Sequence, residues 1–140
     1  IIRTQLRLQK IQNKINGIRR NHLHQISNEI IKREPSFISL EDLNISGMMK
    51  NRCLAKAIQE QSLFEFKNQL IYKGNWNNIE IRLVNRWFPS SKMCNYCKNI
   101  NKKLTLNDRT LICSNCNKSI DRDLNASYNL RDTTDYIIVK

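Results

Sequence analysis

The sequence predicts a mixed α/β body that carries a four-cysteine zinc ribbon. Three observations predict it. Helix-period and strand-period stretches alternate along the chain. Two Cys-x-x-Cys pairs, Cys94 with Cys97 and Cys113 with Cys116, are separated by residues 98–112. A short acidic run, Asp121 to Asn125, follows the second pair. Two tight turns that each aim two thiolates at one point complete a tetrahedron around zinc. The alternative is two disulfides or four unrelated thiols. A four-thiolate set leaves no open position, so the expected zinc holds structure and performs no chemistry.

Charge narrows the partners. The 140 residues hold 24 Lys and Arg against 12 Asp and Glu, a formal net charge of +12. Such an excess favours a polyanion, and nucleic acid is the usual one. No apolar run is long enough to span a bilayer, and no signal peptide is present, so no membrane partner is expected. Metal-type cysteine spacing points to a reducing, cytoplasmic setting, nucleoid-associated if the partner is DNA. The chain does not begin with Met, and its first residues read as the middle of a helix. The expectation is the C-terminal part of a longer product.

The elements follow in order. Residues 1–34 contain no Pro and one Gly, Gly17, which is expected to kink or split a helix. Leu8, Ile11, Ile15, Ile18, His22, Ile26 and Ile30 recur at steps of three and four and mark one helical face. That places His22 on the packed face and His24 outside it. Pro35 ends the helix, because the residue before proline avoids the helical region. Ser36 to Glu41 alternates as a strand, with Ile38 and Leu40 on one side and Phe37, Ser39 and Glu41 on the other. Leu43 to Gly47 reads as a loop. A second helix runs from Arg52 to Tyr72, with Leu54, Ala57, Ile58 and Gln61 on one arc and Leu63, Phe66 and Leu70 on another. Cys53 falls in this helix as a core thiol. Lys73 to Asn75 closes it, and Ile79, Ile81 and Leu83 alternate as a strand.

Trp87 and Phe88 stand beside Arg86. They either stack on bases or pack the ribbon against the body, and the packing reading is preferred. Leu104 to Leu106 and Thr110 to Ile112 read as the strands of the ribbon hairpin, turning at Asn107 to Arg109. Asp121 or Asp123 begins a last helix, and either serves as an N-cap. The tail from Tyr136 to Val139 has no clear assignment.

Phe88 to Cys97, Cys113 to Cys116 and Asp121 to Ala126 together resemble the C-terminal end of the TnpB (OrfB) family, transposon-encoded proteins related to the compact RNA-guided CRISPR effectors. Upstream, Ile38 to Asn44 looks like that family's second RuvC segment, and Arg20 to Ser27 like the helix before it. The resemblance implies an incomplete RNase H-like (RuvC) domain with the ribbon inserted before its last helix. Residues 1–91 would form the partial nuclease domain, 92–118 the ribbon, and 119–140 the last RuvC segment and tail. In that family three carboxylates bind magnesium and cut DNA. Glu41 matches the second carboxylate and Asp123 the third, with Asp121 as an accompanying acid. Magnesium prefers hard carboxylate oxygens, and distant segments must converge to supply them. The first carboxylate has no match, since no Asp precedes Asp42.

The implied function is the C-terminal portion of a metal-dependent, RNA-guided DNA endonuclease, with DNA and a guide RNA as partners and little cleavage by these residues alone. The alternatives are a non-catalytic zinc-ribbon DNA- or RNA-binding protein or truncated transposase remnant, or a protein-interaction ribbon of the transcription-factor type. The family's usual Gly after each Cys pair is replaced by Lys98 and Asn117. Asn adopts a left-handed turn at modest cost and Lys less readily. Zinc is expected to couple to folding of 92–118.

Overall fold

The computed structural model describes residues 2–102, 104–105 and 107–140, with the backbone but not the side chain of Leu54. The chain divides into two compact units. One comprises 1–36, 45–80 and 140; the other comprises 37–44 and 81–139.

The first unit is helical. Helix α1, Ile2–Lys32, passes through Gly17 unbroken. A Cβ at Gly17 would meet nothing within 4 Å, so no close packing demands glycine there, and the neighbouring turns carry the helix across it. A glutamate–proline step follows, with Glu34 at φ 48°. The apolar stripe from Leu8 to Ile18 is exposed, with Leu8 at 62 %. Burial begins only in the last third, at Ser27 and Ile31. His22 is exposed and His24 half-buried, the reverse of the expected placement. The cause is that α1 packs on α4, Leu63–Trp76, through the face that carries Ser27 and Ile31.

A polar seam joins these helices. Lys73 donates from Nζ to the Ser27 hydroxyl at 2.6 Å and to the His24 carbonyl at 3.2 Å. Burial holds the Lys73 pKa below that of a free lysine. Arg19 pairs with Glu60 at 3.6 Å and Arg20 with Glu65 at 3.1 Å.

The expected single helix from Arg52 is two. Helix α3, Arg52–Gln61, ends at Ser62, whose φ of 50° turns the chain left-handed before α4. Local backbone geometry overrides the periodic pattern at that point. Ile58 and Leu70 are buried as the two arcs require; the Leu54 side chain lies outside the described residues. Cys53 is exposed in the first turn of α3, where its N–H donates to the capping Asn51 side chain at 3.1 Å. A first-turn position faces away from the core here, which corrects the core-thiol reading. Within the stretch from Leu43 to Gly47 expected as loop, the short helix α2, Ile45–Met49, begins and packs against α3. α4 runs to Trp76, past the expected stop at Lys73.

The second unit holds the strands. Its three-stranded sheet has β2, Glu80–Val84, between β1, Phe37–Glu41, and β5, Tyr136–Val139. The unassigned tail is therefore the antiparallel partner of β2, with Ile81 opposite Val139 and Val84 opposite Tyr136. The Arg82 guanidinium lies 3.7 Å from the Phe37 ring centroid and 4.6 Å from that of Tyr136, so a cation on the central strand bridges aromatics on the two flanking strands. Ile81, Leu83 and Val84 are buried.

The ribbon hairpin differs from expectation. β3, Thr110–Ile112, pairs antiparallel with β4, Ser119–Asp121, so Leu111 faces Ile120. Leu104 and Thr105 form no strand, and Leu106 lies outside the described residues. The turn carrying Cys113 and Cys116 is itself the hairpin's turn, which makes the residues after it the natural partner of β3. Cys94, Leu111 and Cys113 form the ribbon's core, with Leu104 and Ile120 packed against them. Helix α5, Arg122–Asp132, follows β4 directly and packs on β1, β3 and β4. Among the described residues, no helix is long and apolar enough to cross a membrane.

Candidate metal centre and carboxylate cavity

The two cysteine turns share one geometry. In the first, the Lys98 N–H donates to the Cys94 carbonyl at 2.8 Å, and the Cys94 N–H to the Asn99 carbonyl at 2.9 Å. In the second, the Asn117 N–H donates to the Cys113 carbonyl at 2.9 Å, and the Cys113 N–H to the Lys118 carbonyl at 2.9 Å. Both turns close through a left-handed residue, Lys98 at φ 58° and Asn117 at φ 57°. Lysine accepts the left-handed conformation here although it carries a Cβ cost that glycine lacks.

The turns bring all four sulfurs within 4.8 Å of one another. Cys94 and Cys116 approach to 3.7 Å, Cys97 and Cys113 to 3.5 Å, and none is in a disulfide. Sulfurs bound at about 2.3 Å to a tetrahedral ion stand roughly 3.8 Å apart. The donor set therefore fits a structural metal ion with thiolate preference. The backbone prepares it: N–H groups of Cys116 and Asn115 aim at the Cys113 sulfur and hold its pKa down at about 6. At Cys116 the Lys118 N–H pulls downward, but burial and the sulfurs of Cys97, Cys113 and Cys94 push the thiol up to about 11. Four thiolates this close need a cation to coexist.

A second site lies in the same unit. Asp121 caps α5: its Oδ1 accepts from the N–H groups of Asp123 at 3.0 Å and Leu124 at 2.9 Å. Asp123, two residues on, is unencumbered by capping; its side chain is 74 % exposed, with Arg122 Nε 3.4 Å away. Glu41 ends β1 half-buried, and Ser90 donates from Oγ to its Oε1 at 2.6 Å. Glu41 and Asp123 line one cavity of about 600 Å³, together with Ser90, Lys92, Arg122 and Ser127. Asp121 does not line it. Of the three acids singled out in the sequence, the fold thus brings two to one cavity and spends an oxygen of the third on a helix end.

Sequence reasoning missed Ser90, Asn95, Asn125 and Asn129. Asn125 and Asn129 are 0 % and 1 % exposed. Two asparagines four apart on one helix face were the available signal, since both then face the same neighbour. Trp87, expected to pack, is 85 % exposed. Its N–H donates to Asn85 Oδ1 at 3.0 Å in an Asx turn, and Phe88 beside it is half-buried.

Comparison with known proteins places these sites in context. The family profile described as Cas12f1-like, TNB domain, matches residues 64–130. A protein of Streptomyces pristinaespiralis, provisionally named an RNA-guided DNA endonuclease, is 36 % identical over 121 residues, covering 86 % of this chain and 30 % of that protein. A TnpB-like protein of Methanocaldococcus jannaschii is 31 % identical over 119 residues, covering 79 % of this chain and 41 % of that one. The chain thus spans well under half the length of these relatives. Among solved structures, the cryo-EM structure of a Cas12f1–sgRNA–target DNA complex aligns with a TM-score of 0.65 at 20 % identity, over 91 % of this chain and 36 % of that one. That likeness speaks for the fold.

Proposed function

We propose, from the premise that this chain belongs to the TnpB family, that it supplies the later RuvC-type segments and the zinc ribbon of an RNA-guided DNA endonuclease. Glu41 and Asp123 are two of the carboxylates that hold magnesium, and Cys94, Cys97, Cys113 and Cys116 hold zinc. The observation that carries this reading is the shared cavity of two acids that lie far apart in the chain.

The residues present suit magnesium. That ion is bound through one or two carboxylates and keeps several waters, and two carboxylates are what this cavity offers among the described residues. Bound there, it would offset charge developing on phosphodiester oxygens during cleavage. Glu41 lines the cavity and is held there at Oε1 by Ser90, so the hydrogen bond occupies one of its two oxygens. Asp123 stands in the first turn of α5 with its carboxylate open to solvent. Lys92 and Arg122, at the same cavity, supply positive charge for a phosphate backbone. Zinc holds the ribbon's fold, and the net charge of +12 favours DNA and guide RNA as partners.

A second reading is a non-catalytic zinc-ribbon nucleic-acid binder. What favours it is that Asp121 is occupied as a cap, so the cavity is lined by two acids among the described residues. One experiment separates the two. In the full protein loaded with guide RNA and magnesium, Glu41→Ala and Asp123→Ala should each slow DNA cleavage at least about a hundredfold, because one of the carboxylates that hold the metal is lost. DNA binding, set mainly by phosphate contacts, should be retained. Cleavage at the parent rate by either variant would overturn the nuclease assignment. For these 140 residues alone, whose sequence offers no match to the family's first carboxylate, the expectation is no cleavage.

A further inference from the structure

We propose that Ser90 is the positioning residue of the carboxylate cavity, and that Asn129 and Asn125 lock it to the first cysteine turn. The inference rests on the reading of Glu41 and Asp123 as a divalent-cation site, and goes beyond it by naming what holds that site in shape. Ser90 is 6 % exposed. Its hydroxyl donates to Glu41 Oε1 at 2.6 Å, and its carbonyl accepts from Asn129 Nδ2 at 2.8 Å. The same Asn129 amide reaches the Met93 carbonyl at 2.6 Å. Asn125 donates to that carbonyl at 2.7 Å and accepts from the Asn95 N–H at 2.9 Å. Met93 and Asn95 flank Cys94.

Three things are tied together by these bonds: the metal-binding turn, the helix that presents Asp123, and the strand end that presents Glu41. A glutamate at a strand end has three free torsions, and a cation must order them when it binds. Ser90 orders them beforehand. It occupies one carboxylate oxygen and leaves the other for a ligand, as outer hydrogen-bond partners of metal-binding carboxylates do. Asn129 fixes the serine backbone, so the hydroxyl cannot follow the carboxylate if it swings away. Both asparagines have little exposure to water, so each lost bond would leave a buried polar group unpaired.

The test is Mn²⁺ binding by the zinc-loaded chain, read from the free-ion signal in electron paramagnetic resonance, with Mn²⁺ standing in for magnesium. Glu41→Ala and Asp123→Ala should abolish binding. Ser90→Ala and Ser90→Cys, which lack a strong donor, should weaken it about tenfold or more, while Ser90→Thr, which keeps the hydroxyl, should stay within about twofold of the parent. Zinc content and circular dichroism should be unchanged in all three serine variants. A folded Ser90→Ala protein that binds Mn²⁺ like the parent overturns the positioning role and leaves the cation site standing. Parent-like binding by both Glu41→Ala and Asp123→Ala overturns the cation site and this inference with it. Should Ser90→Ala fail to fold, Ser90→Cys decides by the same measurement.

Discussion

Asp121 and Asp123 stand two residues apart, and the fold gives them different work. The first sits outside the helix with its oxygen on two backbone N–H groups; the second is inside the first turn with its carboxylate free of the backbone. Capping needs an oxygen acceptor and not a charge, so Asp121→Asn should cost a few tenths of a kcal/mol and Asp121→Ala about 1 kcal/mol, read from urea unfolding. A cleavage or Mn²⁺-binding defect in the stably folded Asp121→Asn protein would show instead that Asp121 takes part in the cation site, as the accompanying acid the family resemblance suggested. Lys98 and Asn117 make a similar point. Neither is glycine, yet both take the left-handed conformation that closes a cysteine turn, because two backbone hydrogen bonds per turn outweigh the conformational cost.

At the scale of elements, α1 is two helices in energetic terms. Its last third packs on α4 through Ser27, Ile31 and the Lys73 seam. Its earlier turns expose Leu8, Ile11 and Ile18 and carry Arg3, Arg7, Lys10 and Lys14 with no acid among them. Most helical stability in proteins comes from tertiary packing. Amide hydrogens in 6–16 should therefore exchange at near-unprotected rates in the isolated chain, while those in 26–32 are protected at least about a hundredfold. Uniform protection along α1 would contradict this division. The 3.6-residue period announced the helix and its apolar stripe. It does not announce which face finds a partner, because periodicity records amphipathicity and not contact. The same limit explains the ribbon hairpin. Leu104 to Leu106 and Thr110 to Ile112 have strand composition, but β3 pairs across the second cysteine turn instead, whose backbone hydrogen bonds between Cys113 and Asn117 and Lys118 close the hairpin.

For the whole molecule, metal and protons are linked. In the metal-free protein Cys116, raised to about 11, keeps its proton at neutral pH, whereas Cys113, lowered to about 6, has already lost its own. A bound metal requires both as thiolates, so binding expels the Cys116 proton throughout the neutral range. Affinity for zinc should fall by at least about one log unit for each unit the pH drops from neutrality, and more steeply once Cys113 also takes up a proton. Competition with a chromophoric chelator at several pH values measures this; an affinity independent of pH would refute the thiolate site. Because Met93 and Asn95 bond to the buried amides of α5, metal loss should disturb that helix as well as the ribbon.

The four cysteines and their spacing could be named from the residues alone, because metal-ligand spacing is local; Glu41 and Asp123 stand out only through the family resemblance, because motif order survives without coordinates. Charge, strand alternation in β1 and β2, and the helix opening at Asp121 were legible for the same reason: each depends on neighbours within a few positions. Pairing of the tail as β5, the exposure of Trp87, the break at Ser62 and the amide lock from Ser90 to Cys94 were not. Those depend on which distant segment arrives opposite, and a buried asparagine or a left-handed serine becomes necessary only once its partners are in place.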